Sequence, residues 1–235
     1  MDIITLKRAE KEKSGAFIYR TLKESIIKAS IRPGETISEP QLQQIFNVSR
    51  SPIREAISIL HFEGLVDVQP RKRTRVVLID CQQIMASRYL RYISEREVFR
   101  KLCRPENDIR PLADHLNAMM VELESHKKNV RDLNYMILDY HNKFHSAIFE
   151  YNGFHYMWEI VKFSNIQYNR FINLYLRNRL NGEDFLEDHR NLLRYIETKS
   201  ESDLLEYNRY NYERIAVYLR ELSGQHPDIF HNMPQ

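Results

Sequence analysis

The sequence predicts a mainly helical protein made of two domains. Glycine and proline number only 6 and 8 among 235 residues, which is too few turn residues for long β meanders. Apolar residues recur at helical spacing through most of the chain, and the period changes to short β-branched runs around residues 65–79. We therefore expect a first domain over residues 1–80, an all-helical domain over residues 81–225 and a loose tail over residues 226–235.

The two domains differ in charge. Residues 1–78 carry 14 Lys and Arg against 9 Asp and Glu, a net of +5, whereas residues 79–235 carry a net of −2. The basic excess favours a polyanionic partner for the first domain. The mean hydropathy of −0.55 argues against a membrane protein. The charged N-terminus is unlike a signal peptide, and Cys81 and Cys103 are too few for a disulfide scaffold, so we expect a cytoplasmic protein.

The first domain begins with a predicted helix over residues 14–30. One face of it is apolar and consists of Ile18, Leu22, Ile26 and Ala29. Pro33-Gly34 predicts the turn that follows. A second, short helix is expected after Ser38, because Ser38 and Gln41 have the spacing of a capping box.

A third helix is expected after a tight connection at residues 47–50. Ser51 is placed as its N-cap, Pro52 fits its first position and Gly64 ends it. Its buried stripe consists of Ile53, Ile57 and Leu60. Two β-branched runs follow at residues 65–69 and 75–79, and the basic residues 70–74 between them predict a β-hairpin. This order of elements is that of a winged helix-turn-helix.

The polar residues at the start of the third helix are suited to contacting DNA. Arg54 follows the buried Ile53 and so points away from the stripe, where a guanidinium can make a bidentate contact with a guanine edge. Ser49, Arg50 and Ser51 suit contacts with phosphates, which position a protein without specifying a sequence. The basic hairpin residues would lie along the neighbouring backbone or minor groove; they are Arg71, Lys72, Arg73 and Arg75.

The rest of the chain predicts an all-helical bundle. Breaks fall at Pro105, at residues 127–129, at Asn152-Gly153, at Asn181-Gly182 and at Lys199-Ser200. The expected helices cover residues 82–103, 109–126, 131–151, 154–178, 183–197 and 202–222.

The first domain resembles the GntR family of bacterial transcription regulators. The resemblance rests on residues 31–35, 46–56 and 63–66, together with Leu42 and Leu60, in the family's order and spacing. It implies that the four polar residues named above at the third helix contact DNA and that the wing assists them. Arg73 stands where the family's wing usually has a glycine, which implies a differently shaped and more basic tip.

The second domain resembles the FCD domain, the helical effector-binding domain of the FadR-type branch of that family. This resemblance rests on Arg91 and Glu95, on residues 141–145 and on Asp188-His189. Many FCD domains hold a divalent metal with one aspartate and three histidines. Two of the histidines, His145 and His189, keep their places. The aspartate position holds His141, and the position of the third histidine holds Asn211 or, with a shifted loop, Arg214.

The histidines also suggest a metal site through their own chemistry. His141 and His145 are four residues apart on one helix, so both rings can reach one cation, and His189 can add a third imidazole from another helix. Three neutral imidazoles with an open position suit Zn²⁺ or another late first-row ion such as Ni²⁺. The alternative is a metal-free polar pocket, in which the same rings are hydrogen-bonded to neighbours or to an effector.

The FCD resemblance further implies a small organic acid, often a sugar acid or hydroxy acid, as the effector. Arg91 is placed to pair with its carboxylate. The alternative for Arg91 is an internal ion pair with Glu95, one helical turn later. Asn208 and Asn211 would form hydrogen bonds with the hydroxyl groups of the ligand.

Together these features predict a homodimeric regulator that binds a palindromic DNA operator. The resemblance implies that it is a repressor and that a small metabolite releases it from DNA. The sequence contains no HExxH motif, phosphate-binding glycine loop or nucleophile elbow, which argues against an enzyme. An architectural DNA-binding protein would not need a helical domain of this size. The remaining alternative is a DNA-binding regulator whose helical domain serves only dimerisation, without ligand or metal.

Overall fold

The computed structural model describes residues 1–69, 73–126, 130–178 and 183–233. The chain divides into two compact units, of which the first comprises residues 1–80 and 223–233 and the second comprises residues 81–222. The described residues form ten helices and five short strands. The expectation of a mainly helical chain is therefore confirmed. None of the described helices combines the length and the apolar character needed to cross a membrane.

Three helices build the core of the first unit. They are α1 (Ser14–Ile27), α2 (Glu39–Phe46) and α3 (Arg50–Phe62). The apolar faces of α1 and α3 pack against each other, and their central side chains are buried: Ile18, Leu22, Ile26, Ile53, Ile57 and Leu60. These are the residues that helical periodicity selects, because a stripe at that spacing is stable only when it is removed from water.

The ends of α2 and α3 follow local hydrogen-bonding rules. Ser38 caps α2, since its Oγ accepts a hydrogen bond from the backbone N–H of Gln41. Ser49, not Ser51, is the N-cap of α3, which corrects the expected start of this helix by two residues. Pro52 fits there because the first-turn N–H groups have no partner within the helix. Gly64 follows the helix with φ +70°, a conformation that favours glycine.

A small antiparallel sheet completes the wing. It comprises β1 (Thr36–Ile37), β2 (Val66–Val68) and β3 (Thr74–Val76), with β3 in the centre. Val66 pairs with Val76 and Val68 with Thr74, which is the expected hairpin, while β1 is a third strand that the sequence did not predict. Arg73 is exposed directly before β3. The expected wing residues Arg71 and Lys72 lie outside the described residues.

The C-terminal segment is not a loose tail, which corrects that expectation. Residues Phe230–His231 form β5, which pairs in parallel with β4 (Ile79–Asp80). Only 3% of the Phe230 surface is exposed. The segment from residue 223 to residue 233 therefore belongs to the first unit, held there by main-chain hydrogen bonds and by one buried aromatic ring.

Seven helices form the second unit in the part of the chain that the structure describes. They are α4 (Cys81–Leu102), α5 (Arg110–Ser125), α6 (Val130–Tyr151), α7 (His155–Ser164), α8 (Ile166–Asn178), α9 (Glu183–Glu197) and α10 (Glu201–Gln225), the last of which extends into residues of the first unit. Their core is rich in large side chains and includes Phe99, Phe144, Phe149 and Trp158.

The single helix expected over residues 154–178 is wrong. The chain forms α7 and α8 instead, separated by Asn165. The backbone N–H of Asn165 donates to the carbonyl of Lys162, and the carbonyl of Asn165 accepts from Asn169, so one helix ends where the next begins. Neither polar atom of the buried Asn165 side chain has a hydrogen-bond partner among the described residues, so the break is made by the backbone hydrogen bonds alone.

Candidate functional site

The exposed face of α3 carries the residues expected to contact DNA. The side chains of Arg50 and Arg54 are 58% and 62% exposed, and Ser49 and Ser51 are exposed beside them. Ser49 caps the helix without a side-chain hydrogen bond to the backbone. The buried stripe on the opposite face fixes α3 from behind, so these four residues face solvent together.

A carboxylate that the sequence analysis did not single out lies between the two arginines. Glu39, the first residue of α2, places Oε2 3.2 Å from Nε of Arg54 and 3.6 Å from Nε of Arg50. No described residue forms a hydrogen bond with the terminal nitrogens of Arg54. Glu39 therefore binds Arg54 through Nε and leaves its two terminal nitrogens, Nη1 and Nη2, for another partner.

A cavity of about 300 Å³ lies among the helices of the second unit. Helix α4 contributes Arg88, Arg91 and Glu95, and α6 and α9 contribute the three histidines. Tyrosine rings from α8 and α10 line it as well: Tyr168, Tyr175, Tyr207 and Tyr218. This size is at the lower end for sites that bind small organic molecules.

The three histidines meet at this cavity. Their nearest nitrogen atoms all lie within 4.8 Å of one another, and Nδ1 of His141 is 3.2 Å from Nε2 of His189. Burial lowers the pKa of His145 to about 4 and that of His189 to about 3, and it holds the pKa of His141 well below its ordinary value. All three rings are therefore neutral near pH 7, the form that can coordinate a metal.

A directional chain of hydrogen bonds runs through two of these rings. Arg91 is a donor only, so its Nη1, 2.7 Å away, donates to Nε2 of His141. The proton of neutral His141 is then on Nδ1, which donates to Nε2 of His189, and Nδ1 of His189 donates to the carbonyl of Phe185 at 2.9 Å. Both ring nitrogens of His141 and both ring nitrogens of His189 therefore have a hydrogen-bond partner.

His145 is different, because it has an unused nitrogen. Its Nε2 is buried and forms no hydrogen bond with a described residue, and its Nδ1 lies 2.8 Å from Oε1 of Glu95 without the alignment of a hydrogen bond. Burial acts to raise the pKa of Glu95, but the charge of Arg91 outweighs it, so the pKa of Glu95 is lowered overall and the carboxyl is ionised. A carboxylate behind a ligating histidine is a common arrangement around bound metals.

The donor set therefore fits a divalent ion. The separation of 3.2 Å between His141 and His189 is close to the ~3.3 Å edge of a tetrahedron with metal–nitrogen bonds of about 2.05 Å. The unpartnered Nε2 of His145 supplies a third donor. Binding would require the hydrogen-bonded chain to open at His141, because a proton occupies the nitrogen that faces His189 and Arg91 occupies the other.

Two of the three residues predicted to bind the effector line the cavity. Arg91 lines the cavity but is paired with Glu95, with Nε 2.7 Å from Oε1, so the internal ion pair is present. Asn211 also lines it, with its Nδ2 donating to the carbonyl of Tyr207 and its Oδ1 accepting from Arg214. Asn208 does not line it, which corrects its expected role.

The side chain of Asn208 has a structural task instead. Its Nδ2 donates to the backbone carbonyl of Tyr92 at 2.9 Å. The residue is buried, and the hydrogen bond ties α10 to α4. The sequence analysis also missed Arg88, which lines the cavity one turn before Arg91. Its only signal in the sequence was its spacing of three residues from Arg91, which places both on one helix face.

Comparison with known proteins agrees with both halves of the fold. The family model for bacterial regulatory proteins of the gntR family matches residues 15–76, and the FCD domain model matches residues 90–230. The HTH-type transcriptional repressor RspR of Escherichia coli is 23% identical over 215 residues, covering 91% of this chain and 92% of that protein. The gluconate operon transcriptional repressor of Bacillus subtilis is 25% identical over 223 residues, covering 92% and 89%.

Solved structures share the architecture. E. coli McbR/YncC superposes with a TM-score of 0.68 at 17% identity, over 90% of this chain and 99% of that one. A regulator from Rhodococcus gives a TM-score of 0.66 at 19% identity, over 87% and 97%. With a helix-turn-helix model at its N-terminus and an FCD model over more than half its length, the chain belongs to the GntR family of bacterial transcription regulators.

Proposed function

We propose that this DNA-binding regulator is a homodimeric, cytoplasmic repressor that binds a palindromic operator and is released by a small organic acid. The observation that carries the DNA half is the exposed arginine pair on α3, backed by a buried stripe and held by Glu39. The α3 helices of two subunits, placed in successive major grooves, would read the two halves of an imperfect palindrome.

The residues of the first unit divide into reading and positioning groups. Arg54 reads a base, because a guanidinium held at Nε presents its two outer nitrogens in the geometry of a guanine edge. Ser49, Arg50 and Ser51 contact phosphates at the start of α3. The wing residues Arg71, Lys72 and Arg73 add charge along the neighbouring backbone.

The cavity of the second unit supports the effector half of the proposal. It is enclosed by five helices, and its polar lining includes the buried Arg88, Arg91, His145 and His189 and the half-buried His141. A carboxylate is the ligand group best suited to such a lining, since buried cations need an anionic partner. By binding one arrangement of the two DNA-binding units better than another, the acid would shift the dimer away from its operator-bound form.

We also propose that His141, His145 and His189 hold a late first-row divalent ion, Zn²⁺ or Ni²⁺. Such an ion, when bound, would supply a Lewis-acid contact for the effector carboxylate. Glu95 would orient the ring of His145, and the carbonyl of Phe185 would orient that of His189, so that each presents Nε2 to the site. Arg91 would give up its hydrogen bond to His141 and become available to the effector.

The test is operator binding by the full chain in the presence of metals and acids. Genomic selection with the purified protein identifies the operator, and a mobility-shift titration then measures its release by a panel of carboxylates and matched neutral alcohols. We expect a palindromic site and release by at least one acid but by no alcohol. A chain that binds its operator tightly and responds to no ligand or metal would instead have a helical domain that serves only dimerisation.

A further inference from the structure

One buried cation of the cavity has nitrogen atoms without a hydrogen-bond partner. Arg88 lies on α4, one turn before Arg91, and only 4% of its surface is exposed. Its Nε and Nη1 atoms form no hydrogen bond with any residue that the structure describes. The guanidinium carbon lies 4.6 Å from the ring centre of Tyr168. That contact stabilises the cation but does not satisfy these N–H groups.

Among the described residues, no carboxylate of the cavity forms a direct ion pair with Arg88, although the charge of Glu95 acts on it from a distance. Glu95 is bonded to Arg91, and Asp188 is bonded to Arg214. The third carboxylate of the lining is that of Asp184 on α9, and it is exposed to solvent. Burial lowers the pKa of Arg88, in keeping with a charged group that has lost its hydration. Because a buried charge without a hydrogen-bonded partner is costly, an anion bound in the cavity would stabilise Arg88.

Much of the remaining lining is apolar. Its aliphatic and phenyl side chains come from α6, α8, α9 and α10, and they are Ile137, Leu138, Ile172, Leu176, Phe185 and Ile215. An apolar ligand body gains by displacing water from such a surface, at roughly 25 cal/mol for each Å² that it buries.

The polar side chains expected to serve ligand hydroxyls are already used within the protein. Asn211 is bonded to Tyr207 and Arg214, and His141 and His189 are bonded to each other. A polyhydroxylated acid would have to break these bonds or rely on the tyrosine hydroxyls of the lining for most of its own hydroxyl groups, so it would lose hydrogen bonds that it makes with water.

From these observations we infer that Arg88 binds the acid group of the effector and that the effector is a monocarboxylic acid with an apolar body. The inference rests on the proposed function, since it names the ligand class of the same cavity. The guanidinium of Arg88, which lines the cavity, donates hydrogen bonds to the carboxylate, while the ring of Tyr168 contacts it from one side. The aromatic or branched aliphatic body of the acid lies against the apolar lining.

The experiment measures binding of four probes to the full-length protein by calorimetry and thermal shift. Benzoate and 4-methylpentanoate are apolar acids, gluconate is a polyhydroxylated acid, and benzyl alcohol is the neutral counterpart of benzoate. We expect both apolar acids to bind, and we expect gluconate and benzyl alcohol to bind at least tenfold more weakly. Arg88→Met should weaken binding of the apolar acids at least tenfold, and Arg88→Lys should weaken it less.

Two controls separate ligand binding from folding. Arg194→Met removes an exposed arginine of the same unit and should leave affinity unchanged. The ligand-free melting temperature of Arg88→Met should equal or exceed that of the wild type, because replacing an unpaired buried charge by an apolar side chain is often neutral or stabilising. If that variant does not fold, Arg88→Gln replaces it, since it keeps a polar side chain without the charge.

The outcomes distinguish this inference from the proposed function. Release of operator DNA by gluconate, undiminished in Arg88→Met, would overturn the inference and leave an acid-responsive repressor. Unchanged benzoate affinity in Arg88→Met would overturn the role of Arg88, and failure of both apolar acids to bind the wild type would overturn the ligand class. If no acid of either class released the operator, the proposed function itself would be refuted.

Discussion

Replacing Arg54 by alanine should reduce both the affinity of the protein for its operator and its discrimination between base pairs. The side chain is 62% exposed on α3, and its one described hydrogen bond is to Glu39. Folding should therefore be unaffected, because an exposed ion pair contributes only about 0–1 kcal/mol. Any larger effect on operator binding must come from a contact with DNA.

The size of that effect follows from the geometry of the arginine. A bidentate contact with guanine is worth about 1–3 kcal/mol, and a dimer on a palindrome makes it twice. The expected loss is therefore about 2–6 kcal/mol, which corresponds to roughly 30-fold to 10⁴-fold in operator affinity. Binding to unrelated DNA should change far less, so the ratio of specific to non-specific affinity should collapse.

Quantitative mobility shifts on the operator and on its single base-pair variants measure both quantities. Arg54→Ala should bind equally to operators that differ at one base pair per half-site, and Arg54→Lys should recover affinity more than discrimination. Glu39→Gln should relax discrimination while it raises overall affinity, because a carboxylate that repels phosphates is removed. A uniform loss on all sequences, with a reduced salt slope, would show that Arg54 contacts phosphate and would refute its reading role.

Three further predictions concern the wing, the C-terminal strand and the histidines. Lys72→Ala should weaken binding to all DNA sequences alike and lower the salt slope by about 1 for each phosphate that is no longer neutralised, so a sequence-dependent effect would contradict a phosphate role. Phe230→Ala should destabilise the first unit by about 3–5 kcal/mol in denaturant unfolding, whereas exposed Met233→Ala should change stability by less than about 0.5 kcal/mol. Zn²⁺ or Ni²⁺ should be found by elemental analysis of the purified protein and should disappear in the His145→Ala/His189→Ala double variant; absence of metal together with no thermal shift on adding divalent ions would remove the metal site.

Local patterns predicted the first unit well because its elements depend on short-range rules. The stripe on α3, the cap at Ser38 and the end at Gly64 each involve residues within a turn or two of one another. The start of α3 was placed two residues late because Ser49 and Ser51 are equally good caps, and proline is tolerated throughout the first turn. Local sequence could not predict β5, since its partner β4 lies about 150 residues away along the chain.

The candidate site was predictable where spacing alone sets the geometry. His141 and His145 lie on the same helix face however the helices pack, because they are four residues apart. Spacing alone could not predict that His189, on another helix, lies beside them, and the resemblance to the family supplied that expectation. The burial of Arg88 depends on Tyr168 from another helix, and so a sequence pattern has no means of indicating it. The break at Asn165 was missed because the apolar periodicity continues across it and only the backbone hydrogen bonds change.

The charges beside the three histidines weaken the attraction of that site for a divalent cation. The position where the family pattern has a metal-binding aspartate holds His141, which is neutral near pH 7, and Arg91 donates to that ring at 2.7 Å. Loss of a carboxylate and proximity of a guanidinium both weaken attraction for a divalent ion, and Arg88 adds a second buried positive charge. The same changes strengthen attraction for a carboxylate. Arg91→Met should therefore raise the affinity of the histidines for Zn²⁺ by removing a nearby positive charge and a competing hydrogen bond, and a weaker Zn²⁺ affinity in this variant, measured by calorimetry, would show that Arg91 supports the metal site.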